Sequence, residues 1–435
     1  MLQRKITDKL IAWKKEKEKK SLILQGARQI GKTFSIREFG ESNYEEMVEL
    51  NFKETPSAKQ IFSGDLNVDG IIMSLRFQFP DKKIAPGKTL IFFDEIQECA
   101  EAITSLKFWT SDGRYDVIAS GSLLGIVYSR PSSYPVGYVE HMKMNALDFE
   151  EYLWNIGITG DMIAVLRECF EKRKAVPEAI HFKVMEYYRM YIATGGMPEA
   201  VWSFVKDRDF RIVDKIQRDI LMGYQYDIAH YANAEEKVKA EKCFLSLSKQ
   251  LLEKENHKFQ YKEIEKGARA QKYYSSIEWL VRADIIQICK DVTDVVYDLD
   301  DYARDDFFRA YTTDLSLLIA MKDLTLKQQI VNNTIVGNTK GGIYECAVAD
   351  SLYKNGYTIY FYKNESTRKE IDFLIQKEGE VIPVEVKGGN AKATSLNGIM
   401  SKYPNIRLAY KLIDGNVGMG GNGVVSLPIY MAMFI

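Results

Sequence analysis

Residues 21–33 read Ser-Leu-Ile-Leu-Gln-Gly-Ala-Arg-Gln-Ile-Gly-Lys-Thr, and this stretch decides the fold of the first part of the chain. An apolar strand at Ser21–Gln25 runs into the pattern G-x-x-x-x-G-K-[ST] at Gly26–Thr33. Glycines let the backbone approach phosphate oxygens closely and direct several N–H groups at them. A helix beginning at Lys32 would add the positive end of its dipole. The stretch therefore predicts a loop that binds a nucleoside triphosphate.

Each fixed residue of this pattern has a chemical task. Lys32 is expected to reach the β- and γ-phosphates, and the Thr33 hydroxyl to hold Mg²⁺. The alternative is that Gly26 and Gly31 only make a turn. The amphipathic segment that follows, expected to form a helix ending at Gly40, favours the nucleotide site because the motif requires a strand before it and a helix after it. The residues predicted to contact ATP here are Gly26, Ala27, Arg28, Gln29, Ile30, Gly31, Lys32, Thr33 and Phe34.

Length and composition limit the broad class of protein. A chain of 435 residues is too long for one ordinary core, so two to four domains are expected. Its 46% hydrophobic and 27% charged residues are typical of a soluble globular protein. With 59 basic and 60 acidic side chains, the net charge of -1 gives no overall attraction to nucleic acid, so such binding would need a local basic patch.

The cysteines and the apolar runs predict a cytoplasmic location. The five cysteines lie far apart and form no C-x-x-C pair, which argues against a disulfide framework or a zinc knuckle. The N-terminus lacks the apolar segment of a secretion signal, and no apolar run approaches membrane-spanning length. We therefore expect a reducing compartment and no membrane partner.

A second apolar strand ends in two carboxylates. Residues 89–93 read Thr-Leu-Ile-Phe-Phe and are followed by Asp94 and Glu95. Buried parallel strands are continuous hydrophobic runs, and ligands bind at their carboxyl ends. Asp94 is expected to hold the Mg²⁺ shell, and Glu95 to polarise the attacking water. One acidic residue alone would also suit the N-cap of the next helix.

A third apolar run, residues 115–122, ends in Ser-Gly-Ser. In ATPases with a strand inserted between the P-loop strand and the Asp-Glu strand, a polar side chain at this point senses the γ-phosphate. Ser120 or Ser122 could do so, and we include Ser122 in the predicted nucleotide site. A plain Ser/Gly turn is the alternative.

The middle of the chain is predicted to be helical from about residue 147 to residue 231, interrupted by Gly-Gly-Met-Pro at 195–198. Residues 259–296 are typical of a winged helix: a first helix at Phe259–Ile264, a second at Ala270–Ala283 and short strands at 285–288 and 294–297. Basic and aromatic residues cluster at the start of the second helix, where helix-turn-helix proteins meet DNA. Docking to a protein is the alternative.

The last hundred residues contain a second constellation of charged residues. A helix opening at Gly341–Glu345 precedes strands at 357–362, 370–375 and 381–387. Because alternate strand residues share a face, Glu385 and Lys387 should point together. Asp372 and Glu385 could bind Mg²⁺, Glu345 could add a ligand from the helix, and Lys387 could steady a water or phosphate. This is the arrangement of PD-(D/E)XK nucleases, although alternating charged and apolar residues describe any half-exposed strand.

The chain resembles the bacterial and archaeal P-loop ATPases of the AAA class that carry a C-terminal PD-(D/E)XK nuclease-like domain. The motifs that carry this resemblance are Gly26–Thr33, Phe93–Gln97, Gly121–Ser122, Gly195–Pro198, Ile277–Leu280, Glu370–Phe373 and Val384–Lys387.

The resemblance implies an α/β protein with four domains. They are a P-loop parallel-sheet ATPase core at 1–150, a helical lid at 151–232, a winged helix at 233–325 and the nuclease-like domain at 326–435. It also implies that Pro198 lies near the adenine. The chain departs from the family in having Cys346 where asparagine is usual and Tyr138 where a basic residue is frequent. The second departure leaves no evident trans-acting arginine, and Arg114 or Arg130 is only a guess for that role.

The expected function is that of a Mg²⁺-dependent ATPase acting as a nucleotide-controlled switch, with ATP and DNA as partners. Its predicted catalytic residues are Lys32, Glu95, Asp372, Glu385 and Lys387, and its predicted metal ligands are Thr33, Asp94, Glu345, Asp372 and Glu385. The alternative is a signalling or scaffold ATPase whose nuclease-like fold is inert and only binds protein or nucleic acid. A helicase-like motor is disfavoured because the chain shows no second ATPase core.

Overall fold

The computed structural model describes residues 2–122, 133–231, 234–253, 258–364, 369–388, 394–421 and 423–435. The chain divides into two compact units. The first unit comprises Gln3–Ala146 and Arg282–Asp284, and the second comprises Met1–Leu2, Leu147–Val281 and Ile285–Ile435. The four predicted domain boundaries stay a prediction beside this division. Arg130 lies outside the described residues.

The first unit is built around a parallel sheet. Its strands are β1 (Ser21–Gly26), β2 (Glu46–Asn51), β3 (Thr89–Asp94), β4 (Asp116–Ser122) and β5 (Val139–Lys143). Its helices are α1 (Lys5–Lys14), α2 (Lys32–Asn43), α3 (Val68–Gln78) and α4 (Ala100–Asp112). The strand order is β2-β3-β4-β1-β5, and the paired strands run parallel. Strand β4 therefore lies between the P-loop strand and the Asp-Glu strand, as expected from the sequence.

The apolar runs of this unit form strands whose side chains are buried in its core. All six residues of β3 are buried, and its Phe93 ring packs edge-to-face on Phe62, with the ring centroids 5.4 Å apart, and on Trp109. The prediction that α2 ends at Gly40 was wrong, because the helix continues to Asn43. Gly40 is instead a contact point. A Cβ there would lie 2.5 Å from the Met47 sulfur, so glycine lets α2 approach the sheet.

The second unit combines helices with a large mixed sheet. Its helices are α5 (Phe149–Asn155), α6 (Gly160–Glu171), α7 (Glu178–Thr194), α8 (Pro198–Asp207), α9 (Phe210–Tyr231), α10 (Ala234–Leu252), α11 (Ala270–Arg282, whose last residue belongs to the first unit), α12 (Leu315–Ala320), α13 (Leu324–Val331), α14 (Gly337–Lys354) and α15 (Thr394–Lys402). Its strands are β6 (Ile286–Val292), β7 (Ala303–Thr312), β8 (Tyr360–Lys363), β9 (Glu370–Lys377), β10 (Glu380–Lys387), β11 (Ala409–Ile413), β12 (Gly418–Met419) and β13 (Val424–Pro428).

One sheet joins the predicted winged-helix segment to the predicted nuclease-like segment. The strand order is β12-β13-β11-β10-β9-β8-β6-β7, with β6 pairing in parallel with β8. The hairpin of β9 and β10 turns at Glu378 and Gly379, both in the left-handed region. The C-terminal strands are thus extended by two strands that precede them in the chain.

Two predicted elements of the winged helix were wrong. Residues 259–264 contain only a 3₁₀ turn at Tyr261–Glu263, and residues 294–297 are not a strand. Val295 is fully buried in the apolar core beneath the sheet, so its side chain is used for packing and not for pairing. The strand that pairs with β6 is β7, further along the chain. The predicted helix at 270–283 is confirmed as α11.

A buried charged network explains the Gly-Gly-Met-Pro interruption. The Lys354 ammonium lies 2.7 Å from Asp314 and 2.9 Å from Asp350, with all three side chains about 1% exposed. The same ammonium donates to the Leu147 carbonyl, and the Gly196 N–H donates to Asp314 at 3.0 Å. Because the ammonium contacts both carboxylates and hydrogen bonds satisfy the remaining polar atoms, the network tolerates burial. A Cβ at Gly196 would lie 2.1 Å from the Leu147 oxygen, so only glycine fits.

We predict that Gly196→Ala lowers the free energy of unfolding by about 1–3 kcal/mol, because the new methyl group would push the backbone at Leu147 away from its partners. Urea unfolding followed by circular dichroism measures this. Gly160→Ala, in the first turn of α6 with open space around it, is the matched control and should leave the midpoint unchanged or raise it slightly. Equal midpoints for the two variants would contradict this explanation of the motif.

Candidate nucleotide site and C-terminal carboxylate cluster

The buried carboxylate of Asp94 is the centre of the predicted nucleotide site. The Thr33 hydroxyl lies 3.1 Å from both Asp94 oxygens, and the Asn51 amide donates to Oδ2 at 3.1 Å. The Ser120 hydroxyl also donates to Asp94. Burial raises the pKa of Asp94, although the hydrogen bond from Ser120 opposes this rise. Strands β2, β3 and β4 therefore bring polar side chains to one point at their carboxyl ends.

The loop at Gly26–Thr33 has the backbone that its sequence predicts. Gly31 precedes α2 in the left-handed region, with φ 90°. A Cβ at Gly26 would lie 2.2 Å from the Met144 carbonyl oxygen, so this position requires glycine. The Lys32 ammonium donates to the carbonyls of Gly26 and Ala27 at 3.0 and 2.6 Å. Burial lowers its pKa to about 8, while Glu95 and Asp94 favour its charged form.

Glu95 follows strand β3 in a strained conformation. Its backbone is left-handed, with φ 52° and ψ 45°, which is uncommon for a residue with a Cβ and is frequent at functional sites. The Gln97 side-chain amide donates to its Oε2. The turn separates the two carboxylates, so that Asp94 points into the Thr33 cluster while Glu95 has its own partner.

Sequence reasoning missed part of this site. Asn51 was assigned no role, although it ends β2 and pairs in register with Asp94. Asp284 belongs to the same unit despite its distance along the chain; it is 4% exposed and lies 3.0 Å from the Lys143 ammonium. Its charge also favours protonated Lys32. Only Asn51 had a signal in the sequence, a polar residue at the end of a strand.

Of the other residues predicted to act at the nucleotide site, only some lie near the P-loop. Ser122 lies beside Gly26 in the register of β1 and β4, but Ser120 is the serine that bonds to Asp94. Pro198 is the first residue of α8 and belongs to the second unit. Arg114 pairs with Asp112 and Asp69 on the surface. The roles proposed for Ser122, Pro198 and Arg114 stay predictions.

The C-terminal residues Asp372, Glu385 and Lys387 form one cluster. Lys387 lies 3.1 Å from Glu385 Oε1, which confirms that the two side chains point together. The Val386 N–H donates to Asp372 at 2.8 Å. Burial, and then the charge of Glu345, raise the pKa of Asp372 to about 6. Burial lowers the pKa of Lys387, but the charges of Asp372 and Glu385 outweigh this effect and raise it.

Glu345 is held by an arginine that sequence reasoning did not identify. Arg309 of β7 is 3% exposed, and its Nη1 lies 2.9 Å from Glu345 Oε1. The Tyr311 hydroxyl donates to the same oxygen, and Arg309 also pairs with Glu370. The guanidinium lies over the Phe361 ring at 4.5 Å from the centroid. A protein cation therefore occupies the side of the cluster where Glu345 was expected to meet a metal.

Whether this cluster fits a metal ion depends on which of its carboxylate oxygens are available to a cation. Within the described part of the chain, no group of three or more His, Cys, Asp or Glu side chains is arranged to hold a metal. Glu385 Oε2 is nevertheless buried and has no hydrogen-bond partner among the described residues. Asp372 and Glu385 thus fit a cation, whereas Glu345 is already neutralised by Arg309.

Comparison with known families agrees with the geometry of the first site. Residues 18–153 match an AAA domain. This part of the chain, which contains the P-loop and Asp94, is therefore similar to AAA domains. Residues 185–328 and 340–430 match two domains of unknown function, DUF8612 and DUF4143. The nuclease-like and winged-helix descriptions are not part of these matches and stay proposals.

Comparison with solved structures gives matches of low sequence identity and low TM-score. The Orc1 protein of Aeropyrum pernix, solved in complex with DNA, is 12% identical with a TM-score of 0.27, covering 76% of this chain and 91% of that one. RuvB of Thermotoga maritima is 12% identical with a TM-score of 0.28, covering 66% and 89%. PCH-2 of C. elegans is 13% identical with a TM-score of 0.27, covering 47% and 62%. No curated protein matches the sequence.

The helices show no membrane-crossing candidate. Within the described ranges, none of them is both long enough and apolar enough to span a bilayer. The five cysteines are all buried and unpaired.

Proposed function

We propose that this chain is a Mg²⁺-dependent ATPase that acts as a nucleotide-controlled switch on DNA, with a C-terminal domain that binds or cuts the DNA. The observation that carries the proposal is the convergence of Thr33, Asn51 and Ser120 on the Asp94 carboxylate beside a complete P-loop. Polar groups from α2, β2 and β4 meet at this carboxylate, which supports a binding site for a metal ion and phosphate.

The donor set of this site fits Mg²⁺. The Thr33 hydroxyl and the Asp94 carboxylate lie 3.1 Å apart, and both are the oxygen ligands that Mg²⁺ prefers. Thr33 and Asp94 would hold the ion, which supplies positive charge to the β- and γ-phosphates when bound. Ser120 and Asn51 keep the Asp94 carboxylate oriented.

Among the other residues, some bind the phosphates of ATP and one acts in its hydrolysis. Lys32 exchanges its two carbonyl partners for phosphate oxygens, which are stronger acceptors for an ammonium group. The backbone N–H groups of Gly26–Thr33 bind the remaining phosphate oxygens. Glu95, held apart from Asp94 by its left-handed turn, polarises the attacking water.

We predict that Lys32→Ala abolishes ATP binding and that Glu95→Gln retains it but slows hydrolysis by about 10²–10⁴-fold, since only the second removes a group that acts on the water. Calorimetric titration measures binding, and a phosphate-release assay measures turnover. Lys183→Gln, which changes an exposed lysine paired with Glu186, is the control for a lost positive charge. Unchanged ATP affinity in Lys32→Ala would rule out this site.

The structure of α11 leaves fewer side chains for binding DNA than the sequence predicts. Tyr273, one of the residues clustered at its start, is a core residue with 1% exposure, and Lys272 pairs with Glu265. Lys266, Arg269 and Tyr274 remain exposed. These three side chains support a small basic and aromatic contact for DNA.

A second candidate function is a signalling or scaffold ATPase with an inert C-terminal domain. The observation that favours it is the buried pair of Arg309 and Glu345, because a fixed guanidinium takes one of the three carboxylates from any metal. Cutting DNA would then depend on Asp372 and Glu385 alone, with Lys387 beside them.

A cleavage assay with Mg²⁺ and Mn²⁺ distinguishes the two candidates. A cutting enzyme is expected to lose cleavage in both Asp372→Ala and Lys387→Ala, because each removes a group of the same cluster. The inert candidate predicts no cleavage of DNA or RNA by the wild type. Cleavage retained in both variants would exclude this cluster as the active site.

A further inference from the structure

A cavity in the second unit carries an excess of positive charge. Its volume is about 380 Å³, in the range of small-molecule sites. It shares no lining residue with the cluster of Asp372, Glu385 and Lys387. No carboxylate is among the described residues that line it, and its polar lining consists of Thr293, Arg304, Tyr362, Lys363, Asn364 and Lys402.

Lys402 is held in place by aromatic groups and not by an acid. Its ammonium donates to the Tyr362 hydroxyl at 2.9 Å. It lies 5.3 Å from the Tyr362 ring centroid and 4.8 Å from that of Tyr403. No ion pair joins it to a carboxylate in the described part of the chain. The charge is therefore positioned in advance and remains available to an anion.

Arg304 and Lys363 are positioned by carboxylates outside the cavity. Arg304 Nε donates to Asp291, which is fully buried, at 2.7 Å. Lys363 lies 3.6 Å from Glu370, and Glu370 is also paired with Arg309. Both lining cations thus have a carboxylate partner outside the cavity, and Lys402 adds a positive charge that no carboxylate among the described residues pairs with.

The form of the charged groups indicates the kind of anion. Arg304 gives its Nε and Nη2 donors to Asp291 and contributes positive charge to the cavity, while Lys363 and Lys402 add point charges that suit phosphate. Tyr362 contributes a ring beside them, and the Thr293 hydroxyl and the Asn364 amide add neutral hydrogen-bonding groups. A volume of about 380 Å³ leaves room for more than a bare phosphate ion.

We propose that this cavity binds the phosphate of a nucleotide through Arg304, Lys363 and Lys402. The nucleotide is either a free mononucleotide or part of a single strand of nucleic acid. The proposal does not depend on ATP hydrolysis at Lys32 or on cleavage at Asp372. It rests on the proposed action on DNA only if the strand is the source of the phosphate.

The test uses the full-length chain carrying Lys32→Ala, so that the P-loop does not contribute phosphate binding. Fluorescence anisotropy with a labelled, 5′-phosphorylated single-stranded oligonucleotide measures one source, and calorimetric titration with AMP measures the other. Lys402→Gln and Lys363→Gln are the test variants, because they remove charge without leaving Asp291 unpaired. Lys183→Gln, at an exposed lysine elsewhere in the same unit, is the matched control.

We expect each test variant to lower affinity at least about threefold, and the control to leave it unchanged. For the oligonucleotide, the slope of log affinity against log salt should fall by about 0.7 for each lost phosphate contact. Loss with AMP identifies a free nucleotide as the ligand, and loss with the oligonucleotide alone identifies a strand. Equal affinities in test and control variants, or no binding of either ligand, would overturn the proposal. Thermal unfolding of each variant verifies that it is folded, and ATP binding measured with Lys32 intact tests the ATPase proposal separately.

Discussion

The order of the parallel strands is the constraint on which the nucleotide site depends. Parallel strands end at the same edge of a sheet, so the order β2-β3-β4-β1 brings Asn51, Asp94, Ser120 and the loop after Gly26 to that edge. The hydrogen bonds from Thr33, Asn51 and Ser120 then fix the Asp94 carboxylate where it would otherwise be an unpaired buried charge. The fold thus places these side chains beside the loop at Gly26–Thr33.

The second unit depends on buried charge in a different way. Lys354 with its two aspartates connects the Gly-Gly-Met-Pro turn to α12 and α14, and Arg309 connects β7 to Glu345 of α14. Both cationic side chains are nearly inaccessible, and each contacts two carboxylates. Because removing one member of such a network leaves an uncompensated charge, these contacts require the helices and the sheet of this unit to form together.

The sequence indicated residues that the structure brings together at Asp94 because the signals are local. An apolar strand followed by a glycine-rich loop, and an apolar strand followed by Asp94 and Glu95, place their functional residues directly after a strand. Asn51 gave a weaker version of the same signal. Asp284 gave none, because its place beside Lys143 depends on a contact between residues far apart in sequence.

The predictions that were wrong concern elements set by long-range packing. The residues around Val295 are typical of a strand. They do not form one, because Val295 is buried in the core and β6 pairs with β7. The metal role of Glu345 stays a prediction, and the arginine that holds this residue was missed for the same reason. Its partner Arg309 lies 36 residues earlier, on a strand whose place in the sheet the sequence did not reveal.

The most direct test of the central claim is the rate of ATP turnover with and without duplex and single-stranded DNA, measured at two salt concentrations. A nucleotide-controlled switch on DNA predicts that DNA changes the rate, and that the change shrinks at the higher salt concentration because phosphate contacts weaken. The Glu95→Gln protein should show no such change, since it lacks the residue that acts on water. A wild-type rate that is the same with and without either form of DNA at both salt concentrations would contradict the account.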